Sequence, residues 1–592
     1  MINHVNGILD SFGIKNAKKI LDVGTGSGIM ATALAELGYS CITIEKNERA
    51  IEAAKQNFDK ISEIKRPTLI QVDICNMLEG SPEFDLITCY QSFHHFKRPY
   101  AALHSMINQC IIGGSIIIIE HNRRITNAMN LLLSKKRVEH PSSLNLEQIE
   151  RYLSQMNFLF AKSNTEIGDV LCIEKKEEYC QHYFSEDQDY VYTYSRTEKK
   201  IQCISKNTGE VIRLGGELSS NNASKVLCLN VANDCNLRCI YCYAHGGNYD
   251  NKRELMNEEV AQKAVEWYKN NIKLPEHILF FGGEPLLNYD VIEKTIKYVR
   301  TENPNATFSL TTNGTLLRSE VAQGLHESGV KVTISIDGKK EVHDHLRVDA
   351  NGRPTYDRII HNIKQMNPEQ RDKLWCKMTI TRYTENILEC VKDLLAIGIK
   401  NIDMAFVVDS IFLAEEKGDV DDIIANLQNL AELAIAGYIS GQFRIYPFLK
   451  IYDSIIFGYR ASKTCTAGEE MICVLPGGEL VPCFRFSENI IGNIASDKLD
   501  TELQSNFVQM KTDIIKKRCS DCWCYDFCGG FCPKDVETYE KIGYTRCRIT
   551  QELIKAALII VSNKYMHSKR EIDKIVRRSA MLDLIARKRE LI

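Results

Sequence analysis

The sequence predicts an α/β chain with three folded parts: a doubly wound sheet, an open partial barrel of six strand–helix units, and a small cysteine-rich domain. Three observations carry this. Strand-like and helix-like patterns alternate from about residue 17 to residue 175. They alternate again from residue 225 to about residue 454. Alternation of this kind builds parallel sheets with helices packed on them. The chain of 592 residues also carries 22 cysteines, many of them crowded into its last third. That stretch is turn-rich and has little apolar core of its own, as expected where metal does the holding.

In the first block, Lys19–Val23, Cys41–Glu45, Asp85–Tyr90, Ser115–Glu120 and Val170–Glu174 read as strands, and Gly26–Leu37 as a helix. Residues 1–176 form this domain. Residues 177–224 are polar, with strand-like pieces at Tyr190–Tyr194 and Ile201–Ile204, and read as a small β-rich adaptor ending in the linker Ser219–Ser224. In the second block the strands are Val226–Val231, Ile278–Phe281, Thr307–Thr311, Val330–Ile336, Trp375–Thr381 and Asn401–Val407. Helical patterns at Glu258–Asn270 and Asp290–Thr301 lie between them. Residues 225–454 make the partial barrel and 455–548 the cysteine-rich domain. Residues 549–592 read as a charged helical tail whose Arg577, Arg578, Arg587, Lys588 and Arg589 form a solvated face.

The bulk numbers exclude some functions. The net charge is −3, and no basic surface points to nucleic acid. The longest apolar run, Ile111–Ile119, is too short to span a bilayer. The chain opens Met-Ile-Asn-His-Val-Asn, without the basic start and apolar core of a secretion signal. The expectation is therefore a cytoplasmic protein. In a reducing compartment its closely spaced cysteines serve as metal or cluster ligands rather than disulfides. Isolated Cys41, Cys75, Cys89 and Cys110 read as small core residues.

The first candidate site is Leu21-Asp22-Val23-Gly24-Thr25-Gly26-Ser27-Gly28, which follows a strand and opens a helix. Glycines there allow a tight turn and close approach of backbone to a ligand. Glu45 ends the next strand, where a carboxylate can hold two ribose hydroxyls. This pattern alone leaves NAD and S-adenosylmethionine (SAM) both open. The second site is Cys235-x3-Cys239-x2-Cys242, directly after a barrel strand. Three thiolates at this spacing hold three irons of a cubane and leave the fourth open. A structural zinc site normally takes four protein ligands instead. The third is the series Cys465, Gly478-x4-Cys483, Cys519-x2-Cys522-x5-Cys528-x3-Cys532 and Cys547. Spacing alone leaves two zinc-ribbon knuckles open there.

Each site resembles a known family. Asp22-x-Gly24-x-Gly26-x-Gly28 resembles the first motif of class I SAM-dependent methyltransferases. Asp73 matches the position facing the adenine, and Phe84–Phe96 and Gly113–Glu120 fit later motifs. His94 and His95 then line the pocket or act in catalysis. The cysteine triplet resembles the radical SAM superfamily. By that resemblance Gly282-Gly283-Glu284-Pro285, Asn313, Ser335 and Arg347 surround a second SAM molecule, whose cleavage yields a 5′-deoxyadenosyl radical. The C-terminal cysteines resemble the SPASM domain. The resemblance assigns one auxiliary 4Fe–4S cluster to Cys519, Cys522, Cys528 and Cys547, and another to Cys465, Cys483 and Cys532. The chain departs from the family in lacking a cysteine shortly before Cys465. Either Cys473 supplies that ligand or the iron stays open to a substrate thiolate, and Cys524 is unassigned.

Asn230–Cys235, Arg253-x-Leu255-Met256 and Phe280–Asn288 look most like maturases that build thioether crosslinks in ribosomally made peptides. The resemblance implies three 4Fe–4S clusters, two SAM sites, a precursor peptide, and an electron donor such as ferredoxin or flavodoxin. Alternatives within the same motifs are formylglycine formation and carbon–carbon crosslinking. The methyltransferase fold then either transfers a methyl group or only binds the peptide.

Overall fold

The computed structural model describes residues 1–76, 83–121, 146–156, 158–165, 168–176, 182–186, 190–195, 200–206, 211–214, 225–249, 252–407, 417–457, 465–496, 498–520, 522–530, 532–538 and 540–567. It divides into two compact units, Met1–Leu214 and Gly215–Ile592.

The first unit is built on β1 (Ile20–Val23), β2 (Cys41–Glu45), β3 (Thr68–Gln71), β4 (Phe84–Tyr90), β5 (Cys110–Glu120), β6 (Phe160–Thr165) and β7 (Gly168–Glu174). Their order is β3-β2-β1-β4-β5-β7-β6. The first five are parallel, while β7 runs antiparallel to β5 and to β6. The doubly wound sheet is thus confirmed, with an antiparallel hairpin closing one edge. Ile116–Ile119 are buried throughout, as a strand covered on both faces requires. The strand order reverses at β1, between β2 and β4, and opens a crevice at the C-terminal ends of these strands.

A second sheet in this unit is an antiparallel meander of β8 (His182–Glu186), β9 (Tyr190–Ser195), β10 (Lys200–Ser205) and β11 (Val211–Leu214). Val191 and Ile204 join the same apolar cluster as Leu146, Ile149, Tyr152 and Leu153. The meander therefore packs into the core of the first unit instead of hanging as a linker. The expected linker Ser219–Ser224 lies outside the described residues.

The second unit carries one open sheet of eleven strands. The parallel run is β12 (Val226–Ala232), β13 (His277–Gly282), β14 (Thr307–Thr312), β15 (Val330–Ser335), β16 (Trp375–Ile380), β17 (Asn401–Phe406) and the short β18 (Arg444–Tyr446). The six expected strands are all present. In β13 to β16 buried positions tend to alternate with partly exposed ones. Ile278 and Phe308 are buried on one face, while on the other Leu279 and Phe281 of β13 are partly buried against Cys228, Cys473, Leu475 and Val481.

On the far side of β12 the sheet continues through β19 (Met471–Val474), parallel to β12. The antiparallel β20 (Glu479–Val481), β21 (Gly492–Asn493) and β22 (Lys498–Leu499) follow it. The cysteine-rich segment is thus joined to the barrel by backbone hydrogen bonds. It is also less irregular than its composition predicts, since helix Thr501–Cys519 runs through it. Helix Glu540–His567 crosses the expected boundary at 548 and buries Ile549, Leu553, Ile554, Ala557 and Leu558. That part of the tail is a packed helix with an apolar face. Its basic residues from Arg577 onward lie outside the described residues.

Candidate functional site

In the first unit the glycine-rich turn leaves β1 with Gly24, Gly26 and Gly28 at φ values of 76°, 53° and 81°. A Cβ on Gly24 would lie 2.6 Å from Cβ of Ser92, so the turn is pressed against the loop after β4. Ser92 Oγ donates to the Gly24 carbonyl at 2.7 Å. Glu45 ends β2 and accepts from Gly26 N at 3.1 Å and from the amides of Lys46 and Asn47 at 2.9 and 3.0 Å. Oε1 takes both amides of Lys46 and Asn47, and Oε2, with one bond, keeps a lone pair for a hydroxyl. Asp73 accepts from Cys75 N at 3.0 Å and pairs with Lys46 at 3.0 Å. Its burial pushes the carboxyl pKa up, but the Cys75 amide and Lys46 outweigh that and hold it below the usual value.

Asp22 is turned inward. It accepts from Thr43 Oγ1 at 2.8 Å on β2 and from Thr88 Oγ1 at 2.9 Å on β4, so it knits three strands together. Burial raises its pKa to about 6 despite these two donors. His94 lies beside Glu120 at 2.6 Å, and Phe93 N holds the other Glu120 oxygen at 2.7 Å. Thr43, Thr88, Ser92 and Glu120 escaped sequence reasoning because their partners sit on other strands.

In the second unit the cysteine loop leaves β12 and packs on the turn after β13. A Cβ on Gly283 would lie 2.4 Å from the Asp234 carbonyl oxygen and 2.6 Å from Gly247 Cα. A Cβ on Gly247, at φ 96°, would lie 2.8 Å from Cβ of Cys235. The backbones meet with no room for side chains. Gly282 N belongs to β13, and Gly283 N donates to Ala232 O at 2.8 Å. Glu284 is fully buried and accepts from Thr312 Oγ1 at 2.6 Å, Asn313 N at 2.7 Å and Leu286 N at 3.0 Å. Burial pushes its pKa up to about 7 against these donors.

Asn313 Nδ2 bonds Asn236 Oδ1 at 2.8 Å and lies 3.8 Å from Cys235 Sγ. Arg347 grips Asp337 through Nε at 2.8 Å and Nη2 at 3.2 Å, and its Nη1 lies 4.0 Å from Cys239 Sγ. Tyr241 OH, between Cys239 and Cys242, donates to the same Asp337 at 2.5 Å. Ser335 ends β15 two residues before Asp337 and is buried. The predicted residues Cys235, Cys239, Cys242, Gly282, Gly283, Asn313, Ser335 and Arg347 therefore gather at the C-terminal ends of β12 to β15. Gly246, Gly247 and Tyr241 were not foreseen, although the Gly-Gly pair was a legible signal of close approach. Burial pushes the Cys235 thiol up to about 12 and the Cys239 thiol to about 11, with Arg347 opposing at Cys239. Such thiols give up their proton at neutral pH when a metal replaces it, so the donor set fits an iron–sulfur cluster.

The C-terminal cysteines fall into two neighbourhoods. Cys465 and Cys532 both act electrostatically on Cys483, as does Cys473. Cys473 is fully buried on β19, opposite Cys228 of β12. Lys511 Nζ holds the loop here through Cys465 O at 2.9 Å, Ala467 O at 3.0 Å and Glu469 at 2.7 Å. In the other neighbourhood Cys522 and Cys524 Sγ are 3.4 Å apart, and Cys524 also bonds Cys528. Gly530 N donates to Cys528 Sγ at 3.2 Å. Cys519 ends its helix. Gln551 Nε2 lies 3.9 Å from Cys522 Sγ, one helical turn after Cys547 on the same helix face. Among the described residues no three Cys, His, Asp or Glu side chains sit at the spacing of a single metal ion.

Residues 229–427 match the radical SAM superfamily, and residues 5–160 match a methyltransferase domain family. Over 183 residues the chain is 38% identical to an uncharacterized protein of Methanocaldococcus jannaschii, spanning 30% of this chain and 61% of that protein. Over 327 residues it is 25% identical to a cysteine-type anaerobic sulfatase-maturating enzyme of Clostridium novyi, spanning 52% of this chain and 87% of the relative. A solved structure of native anSMEcpe with bound AdoMet and Kp18Cys peptide aligns at 25% identity and TM-score 0.48, over 57% of this chain and 99% of that one. The chain carries a radical SAM domain and a methyltransferase domain.

Two predictions follow from the geometry. Gly283→Ala forces the cysteine loop off the turn after β13, so iron bound at Cys235, Cys239 and Cys242 is lost while circular dichroism stays unchanged. Iron analysis against Gly7→Ala, where a Cβ meets nothing within 4 Å, checks it. Asp22 binds its proton more tightly folded than unfolded. Its contribution is therefore full below about pH 3.8 and is lost as pH rises through about 6, by ~3 kcal/mol. Calorimetry of the first unfolding transition should show this slope in wild type and not in Asp22→Asn.

Proposed function

We propose that the protein is a maturase of a ribosomally made precursor peptide. In this reading it forms cysteine thioether crosslinks by radical chemistry in the second unit and transfers a methyl group in the first. The observation that carries the radical half is the cysteine loop itself. Its thiols stand at the C-terminal ends of a parallel sheet, where sites of such folds lie. Asn313 and Arg347 aim N–H groups toward Cys235 and Cys239. When bound there, a 4Fe–4S cluster with one open iron supplies the electron that cleaves SAM to a 5′-deoxyadenosyl radical.

The chain's own residues do the rest. Cys235, Cys239 and Cys242 hold three irons. The partly exposed face of β13 to β16 accepts SAM, with Gly282, Gly283, Asn313 and Ser335 around it. Arg347, fixed by Asp337, keeps positive charge beside the cluster thiolates. Leu255 and Tyr243 stay exposed near the loop and offer apolar surface to a peptide. Cys519, Cys522, Cys528 and Cys547, and Cys465, Cys483 and Cys532, hold two auxiliary clusters. Either Cys473, which acts electrostatically on Cys483, is the further ligand of the latter cluster, or the iron there stays open to a substrate thiolate. An external ferredoxin or flavodoxin delivers electrons, and the reaction runs in the cytoplasm without nucleic acid or membrane. No helix among the described residues is long and apolar enough to cross a membrane.

The methyl-transfer half is supported by the reversal of strand order at β1 and by Glu45, whose carboxylate faces the glycine turn. Gly24, Gly26 and Gly28 then admit the second SAM, with Glu45 on its ribose and Asp73 toward its adenine. Placement of the acceptor beside the sulfonium is the main requirement of such a reaction.

A second reading is favoured by one finding. The Clostridium novyi relative is named for sulfatase maturation. This supports oxidation of a peptidyl cysteine or serine without crosslinking.

Anaerobic iron and sulfide analysis tests the cluster assignment. The expected result is about twelve irons per chain, with about four lost in the Cys235/Cys239/Cys242→Ala variant. Zinc at the C-terminal cysteines would remove the thioether reading while leaving radical SAM chemistry. Incubation with methyl-labelled SAM tests the first unit: label should pass to the peptide in wild type and not in Glu45→Ala. Mass analysis of the product separates the two radical readings, since a thioether costs the peptide two hydrogens and leaves no free cysteine.

A further inference from the structure

A buried line of charge runs between the cysteine groups. Arg485 stands two residues after Cys483, its side chain only 15% exposed, and its Nη2 lies 2.5 Å from Asp535 Oδ1. Asp535 follows Cys532 by three residues and also pairs with Nη1 of Arg546, the residue before Cys547. Nη2 of Arg546 donates to the Phe406 carbonyl at the end of β17. On its other side the Arg485 guanidinium lies 5.1 Å from the centre of the Tyr243 ring, next to Cys242.

Two arginines thus share one carboxylate, and the group carries net positive charge away from water. The Nε atoms of both arginines are buried without an acceptor. A group that cost so much to desolvate and keeps spare donors is poorly explained as packing alone.

We propose that Arg485 is a positioning residue that couples the radical-site loop to the auxiliary site at Cys465, Cys483 and Cys532, and raises the reduction potential of the cluster held there. This rests on the cluster assignment above. Reduction of a cluster adds one electron, taken from an external donor, and with it one negative charge. A permanent cation in low-dielectric surroundings favours that reduced form. The same guanidinium stacks on Tyr243, so it also fixes the loop carrying Cys242 relative to this cluster. Asp535 tempers the effect and anchors Arg485 against Arg546.

The test is a dye-mediated redox titration of the reconstituted full-length protein, followed by electron paramagnetic resonance. The auxiliary signal is the one lost in Cys483→Ala. With iron content equal to wild type, Arg485→Gln is expected to shift its midpoint to lower potential. Arg485→Lys should stay near wild type, and Asp535→Asn should shift it upward. Opposite signs from neighbouring residues distinguish charge from loosened structure. If Arg485→Gln does not load iron, the Asp535→Asn shift decides alone, and an unmoved or lowered midpoint overturns the proposal. Unmoved midpoints in iron-replete Arg485→Gln also overturn it while leaving the function proposed above intact. Wild-type protein without iron at the C-terminal cysteines overturns both.

Discussion

One carboxylate organises the radical site. Glu284 is buried and is held by the Thr312 hydroxyl and two backbone amides, of Asn313 and Leu286. Its own amide donates to Asp234 O at 2.9 Å. It therefore joins the end of β13 to the end of β14 and to the residue before Cys235. Asn313, whose amide Glu284 fixes, is the residue that reaches Asn236 and Cys235. Loss of this carboxylate leaves buried donors unpaired, which costs more than the bonds themselves gain. The family resemblance set Glu284 among residues around a SAM molecule; its own three bonds go to the chain, tying together the loops there.

The two units solve the ligand problem with different sheets. In the first, the central strands are covered on both faces, and a ligand is left only the crevice where strand order reverses. In the second, one face of the open sheet stays partly exposed, so a ligand can lie across strand ends inside it. The two uses of one sulfonium compound proposed above fit these two settings. Polar methyl transfer asks for alignment, and radical chemistry asks for seclusion from other hydrogen donors.

Much of this was legible in the sequence. The six barrel strands stand out because each is a short β-branched or aromatic run between helical patterns, as in Val330–Ile336. β3 and β6 were not read, because Thr-Leu-Ile-Gln and Phe-Ala-Lys-Ser-Asn-Thr are polar, mostly unburied edge strands. Helix Thr501–Cys519 was hidden by the cysteines around it. The cysteine groups were legible from spacing, and the resemblance alone assigned them to clusters. The groups that orient them were not: Asp337 meets Arg347 and Tyr241 only after folding, and Asp535 gathers Arg485 and Arg546 from separate segments. Cys473 could be named as a candidate from composition, but its neighbourhood beside Cys483 depends on β19 lying against β12.

That pairing of Val226 with Met471 has a consequence for biogenesis. β12 carries the cysteine loop, yet one of its two neighbours emerges from the ribosome only after the whole barrel has been made. Contacts so distant along the chain form late. The N-terminal unit, complete by Leu214, can fold while the rest is still being synthesised. The radical-site strand must wait with an unpaired edge until Met471–Val474 arrives. In the reading proposed above, cluster insertion at Cys235 would follow completion of the C-terminal segment, and truncated chains would be poor acceptors.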